Sequence, residues 1–133
     1  MNYISRNTNQ YLLSGTALKM IALVSMFIDP DKLQVEASSY IDADYIEMHT
    51  GCFSLAFENG EYQKELEKLK SAAKLAQSLG LKVNAGHGLN YENVYLMKEI
   101  KELCELNIGH SIISRAVFVG LSSAIQEMLD LVK

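Results

Sequence analysis

Three histidines stand where proton transfer or anion binding would be served: His49 in Glu47-Met-His-Thr50, His87 in Asn84-Ala-Gly-His-Gly88 and His110 in Asn107-Ile-Gly-His110. Each closes a short apolar or alternating run, so all three are predicted at strand C-termini. In parallel α/β folds that rim is where loops and helix N-termini converge on ligands. His87 lies between two glycines that leave its imidazole uncrowded and let the backbone approach a ligand. Imidazole can give and take protons near neutral pH, so His87 reads as a general acid or base; the plainer alternative is a loop histidine bonded only for structure. Gly109-His110 opens a predicted helix directly after a strand, where unpaired N–H groups and the positive end of the dipole suit phosphate; the plainer alternative is a tight turn. Glu47 shares a strand face with Tyr45 and His49, which in a barrel would be the interior. A carboxylate there is either a catalytic or substrate-binding acid or a structural partner of Lys82 or Arg115. Thr50 and Asn84 read as rim residues that hydrogen-bond, with strand-end satisfaction the simpler role.

The elements that must carry these residues are legible in outline. Residues 21–28 form a short apolar, partly β-branched run stopped by Asp29-Pro30, the pattern of a strand buried on both faces. Asp29 or Asp31 can cap a following helix whose Leu33, Ala37 and Tyr40 recur at helical spacing. Further strands are predicted at 44–49, 81–85 and 104–108. The stretch Gly51 to Asn59 reads as a long connection and hence a candidate functional loop. From Glu61 to Leu79 the series Tyr62, Leu66, Leu69, Ala73, Ala76 marks one amphipathic helix, ended by Gly80. Asn90 is expected to open a helix that carries Val94, Met97 and Ile100 inward. A short helix from Ser111 to about Val119 follows. After Gly120 the last helix presents Leu121, Ala124, Ile125, Met128, Leu129 and Val132 on one face, with Ser123 and Gln126 spaced as a capping box.

The order is thus βα four times, which predicts adjacent parallel strands with helices outside. An eightfold version, a (β/α)8 barrel, needs on the order of 250 residues; these 133 residues would be about half of one. Residues 1–19, rich in Asn, Ser and Thr, form a separate segment predicted to be disordered, ahead of a half-barrel over 20–133.

A net charge of -4 without a run of Lys or Arg argues against nucleic acid as a partner. The two cysteines, Cys52 and Cys104, have no metal-ligand or disulfide spacing, which suits a reducing cytoplasm. The run Met20 to Ile28 is far short of the roughly 20 residues a membrane span needs.

Three strings, Tyr45-Ile-Glu-Met-His-Thr-Gly51, Gly80-Leu-Lys-Val-Asn-Ala-Gly-His-Gly-Leu-Asn-Tyr91 and Glu105-Leu-Asn-Ile-Gly-His-Ser-Ile-Ile113, together resemble the pyridoxine 5'-phosphate synthase family. The similarity continues through Arg115 to Leu121 and back through Val24 to Pro30, covering about residues 20–133. The resemblance implies the C-terminal half of a TIM (β/α)8 barrel in an enzyme of vitamin B6 biosynthesis, a transferase. Its family condenses 3-amino-2-oxopropyl phosphate with 1-deoxy-D-xylulose 5-phosphate and uses no organic cofactor. By the same resemblance His87 is the proton donor, Gly88 binds substrate beside it, Gly109 and His110 hold substrate phosphate, and Glu47 is an interior acid; no metal ligand is implied. The family's N-terminal half supplies an Asn-rich first strand, a second catalytic histidine, a glutamate and arginines, none with a counterpart here. The expected partners are therefore the two phosphorylated substrates, further copies of the chain, or a separate N-terminal half. The alternative expectation is a non-catalytic remnant that self-associates or binds phosphate weakly.

Overall fold

The computed structural model describes residues 23–133. The segment 1–19 and the start of the first predicted strand lie outside the described residues. Four strands, β1 (Ser25–Ile28), β2 (Tyr45–His49), β3 (Lys82–Gly86) and β4 (Leu103–Asn107), form one sheet in the order β1-β2-β3-β4, every neighbouring pair parallel. This is the arrangement expected of half an eight-stranded (β/α) barrel. Helices α1 (Lys32–Tyr40), α2 (Gly51–Glu58) and α3 (Gln63–Ser78) connect the first three strands. A 3-10 helix (Val94–Glu99) leads to β4, and α4 (His110–Val119) and α5 (Leu121–Val132) follow it.

Strand alternation sorts the two faces of the sheet. Ile46 and Met48 of β2 and Val83 and Ala85 of β3 join a single core with Val35, Phe53, Leu66, Leu69, Ala73 and Ala76 from the helices. The helices therefore cover that face, and Tyr45, Glu47 and His49 turn to the other. In β4 a register shift lies opposite Val83 and Asn84, so that Val83 pairs with Leu103 but Asn84 with Glu105. The extra residue, Cys104, resets the alternation and puts Glu105 and Asn107 on the same face as Asn84 and Gly86.

The predicted stripe of α3 is borne out, with Ala72 added to its buried side, and Gly80 takes a φ of +83° just past its end. Four local expectations are corrected. In α1 the predicted stripe is the wrong face: Leu33 and Tyr40 are 72% and 81% exposed, whereas Val35 and Ser38 are buried. Asp31, whose Oδ1 accepts from the N–H groups of Leu33 and Gln34, sets the helix start and with it the face turned to β1. The stretch Gly51 to Asn59 is helix α2, not a loop, because Phe53, only 1% exposed, anchors it in the core beside Phe57 and Tyr62. The segment after Asn90 is a turn and a 3-10 helix instead of an α-helix: Asn90 Oδ1 accepts from the N–H groups of Glu92 and Asn93, which tightens the chain at once. The anticipated capping box of the last helix is absent, since α5 is capped three residues before Ser123 by Gly120 at a φ of +82°.

The corrected face of α1 makes a direct prediction for urea denaturation. Val35→Ala is expected to cost roughly 1–3 kcal/mol of stability through the cavity it leaves, and Leu33→Ala to stay within about 0.5 kcal/mol.

Candidate functional site

Because the strands run parallel, the C-terminal ends of β2, β3 and β4 all lie at one end of the sheet, with His49 closing β2 and His87 and His110 just beyond β3 and β4. The structure brings two of them together. The imidazoles of His49 and His87 lie 4.7 Å apart between ring centroids, and the Phe27 ring meets His49 edge-on at 5.5 Å. Asp29 Oδ1 stands 3.4 Å from His49 Nδ1. Gly51 makes room for this arrangement: a Cβ there would stand 2.7 Å from His49 Cε1. His110 lies outside this ring cluster, exposed at the start of α4.

His87 itself has a φ of +74°, a left-handed backbone that a non-glycine residue adopts only at a cost on the order of 1 kcal/mol. Its neighbours hold it there. Thr50, wholly buried, places Oγ1 2.7 Å from both the Gly86 and the His87 carbonyl oxygens, and its N–H donates to Gly86 O at 2.9 Å. Gly88 continues the loop at a φ of +89°, packed so closely that a Cβ would stand 2.9 Å from Ser54 Oγ. Asn93, 1% exposed, donates to Ser54 Oγ and Gly88 O and accepts the Asn90 N–H.

Glu47 is half-buried on the face that the helices leave open. Neither proposed structural partner reaches it. Lys82 Nζ donates to the Tyr45 hydroxyl at 3.1 Å, and Arg115 Nε donates to Glu127 Oε2 at 2.8 Å, which holds that carboxyl below the usual carboxylate range. Glu47 Oε2 instead accepts from Asn107 Nδ2 at 2.6 Å, a bond made across the intervening strand. Gly86 lies beneath it, since a Cβ there would stand 2.7 Å from both Glu47 Oε1 and the Asn107 carbonyl oxygen. Next to it Asn84, 7% exposed, keeps its Oδ1 without a partner and reaches Glu105 only at 3.5 Å. A buried acceptor of this kind is a demand for a donor.

Gly109 opens α4 with no side-chain cap, so the first N–H groups of that helix remain available at the rim. Ser111 Oγ donates to Leu89 O at 2.9 Å, tying this helix start to the His87 loop. Among the described residues no three His, Cys, Asp or Glu side chains assemble into a metal-ligating group, and no helix is long and apolar enough to cross a membrane.

The sequence pointed to His87, Gly88, Glu47 and the Gly109-His110 pair. It did not point to Phe27, Asp29 or Asn107, because each acts on a site residue from a different strand. Ser54 and Asn93 were equally silent, being small polar residues whose partners lie a helix away in the chain. Only the glycines flanking His87 carried a local signal of the tight geometry.

Residues 10–133 match the family described as pyridoxal phosphate biosynthesis protein PdxJ. The pyridoxine 5'-phosphate synthase of Geobacter sulfurreducens is 58% identical over 111 residues, covering 84% of this chain and 46% of that protein. That of Geotalea daltonii is 54% identical over the same shares of each, and that of Legionella pneumophila is 46% identical over 99% of this chain and 51% of its own length. The chain thus spans about half the length of the curated relatives it matches.

Gly86→Ala is predicted to separate Glu47 from Asn107 and to cost roughly 1–3 kcal/mol in urea denaturation, as overpacking at a strand crossing does.

Proposed function

The chain belongs to the pyridoxal phosphate biosynthesis protein PdxJ family, with the fold of the C-terminal half of that family's TIM barrel, and we propose that it carries the His87 side of a pyridoxine 5'-phosphate synthase site. The observation that carries this reading is the convergence of three motifs on one rim. Glu47, His87 with Gly88, and Gly109-His110 come from three successive parallel strands to the same end of the sheet. The substrates of the reaction are 3-amino-2-oxopropyl phosphate and 1-deoxy-D-xylulose 5-phosphate.

In this reading the α4 N-terminus at Gly109 and His110 receives a substrate phosphate, whose charge its free N–H groups and dipole neutralise without displacing any side-chain cap. Gly88 gives the substrate access to the backbone beside His87. Condensing an amine with a ketone expels water, and closing the ring expels further oxygen as water and phosphate, so protons must be delivered to departing oxygens. His87, exposed at the rim and fixed in its backbone, is the donor. The condensation passes through an imine that is cationic when protonated. The Glu47 carboxylate, oriented by Asn107, faces the interior where it stabilises that charge. Asn84 Oδ1 supplies an acceptor for a substrate hydroxyl or amine.

The opposing proton transfers and the remaining substrate contacts belong to the other half of the barrel. The 133 residues alone are therefore expected to yield no measurable pyridoxine 5'-phosphate. Joined to the N-terminal half of a curated relative, they are expected to regain activity, and His87→Ala should then lower turnover by at least ~10^2-fold while the two halves still copurify. Full activity of the His87→Ala assembly would overturn the assignment of the donor.

A second reading, self-association, is favoured by one specific observation. Ile113, Val117 and Phe118 of α4 are 60%, 78% and 84% exposed, and β1 and β4 are the outer strands of the described sheet. Open edges and bare apolar side chains of this kind seek cover. Light scattering at about tens of micromolar is expected to give a mass above the monomer; a clean monomer would refute it.

A further inference from the structure

We infer that Thr50 is a positioning residue for the proton-donor histidine: its hydroxyl, acting alongside an Asn93 bond to the next residue, holds His87 in its left-handed backbone and so sets the imidazole against His49. The inference rests on the reading of His87 given above, but its geometry stands apart from any activity. His87 has a φ of +74°, and no interaction of its own side chain accounts for that conformation beyond the ring contacts with His49 and Phe27. What surrounds its peptide does. Thr50 Oγ1 stands 2.7 Å from the carbonyl oxygens of the two peptides that flank His87, those of Gly86 and of His87 itself, and Thr50 N–H donates to the first of them.

Turning His87 to an extended conformation would swing its carbonyl oxygen away from the buried Thr50 hydroxyl, the side-chain partner it has at 2.7 Å. The following residue is gripped as well, because Gly88 O accepts from Asn93 Nδ2, and Asn93 also donates to Ser54 Oγ. The loop is therefore clamped from β2 and α2 on one side and from the turn ahead of the 3-10 helix on the other. Valine has the shape of threonine without the donor, and serine keeps the donor without the methyl.

The test compares Thr50→Val and Thr50→Ser in the full chain by amide hydrogen exchange, followed in the segment 86–93. Loss of one buried hydrogen bond should speed exchange there about tenfold in Thr50→Val, with the amides of α3 and of the β2–β3 pairing unchanged, and Thr50→Ser should match the parent. Unchanged exchange in Thr50→Val overturns the proposal. So does a general loss of protection in that variant, which would make Thr50 a core residue and not a loop anchor, and so does Thr50→Ser behaving like valine. In the assembly with an N-terminal half, Thr50→Val should lower kcat at least about tenfold with KM within about twofold, and serine should restore it. If His87→Ala leaves that assembly active, the role given to His87 fails while the exchange result still decides whether Thr50 holds the loop.

Discussion

The register of β2 on β3 governs this site. With His49 paired to Gly86, the first residue beyond β2 falls beside the last peptide of β3, and that residue is Thr50. Its N–H and hydroxyl then meet the Gly86 and His87 carbonyls at hydrogen-bond distance. A slip of one residue would turn Ile46 and Met48 out of the core and Glu47 into it. The same burial that stabilises the sheet therefore holds the rim in place, and the strained residue at its centre draws on interactions that the core makes unavoidable.

Around that pairing, glycines act as spaces as much as hinges. Gly86 and Gly51 lie where a side chain would collide with a functional group: Gly86 beneath the Glu47–Asn107 bond and Gly51 against the His49 imidazole. Gly88 combines a positive φ with contact against Ser54. Three close approaches within one rim leave the imidazoles and the carboxylate little freedom to relax elsewhere, which is the condition for proton transfers at defined atoms. The bulge at Cys104 contributes in the same sense. By shifting alternation along β4 it delivers Asn107 to the open face, where Glu47 otherwise has no donor.

The polar layer on that open face has the character of a lining more than of a surface. Glu47, Asn84, Glu105 and Asn107 sit side by side across β2, β3 and β4, and one buried amide oxygen remains unanswered. Phe27 is 59% exposed beside them. Such a face, with a buried acceptor unanswered and an aromatic ring exposed, suits a ligand or a further layer lying over it. That agrees with the family membership and with a chain matching about half of each relative.

Much of this was legible in the amino-acid order. Apolar runs closed by Asp29-Pro30 or by a histidine placed four strands and their sequence, the stripe from Leu66 to Ala76 placed α3, and the Gly-His-Gly and Gly-His motifs placed the rim, because local periodicity and turn chemistry act over a few residues. Where two local signals competed, tertiary packing decided. Leu33 and Tyr40 made as good a stripe as Val35 and Ser38 until the Asp31 cap and the sheet beneath chose a face. Gly51 to Asn59 carried too few periodic residues to declare a helix before Phe53 found its pocket. Glu47 illustrates the limit most directly: its strand face followed from alternation, but its partner did not. Asn107 is 60 residues away in the chain and reaches it only because a bulge turns it to the open face and Gly86 leaves the gap. Contacts made across strands depend on register, and register is a property of the assembled sheet.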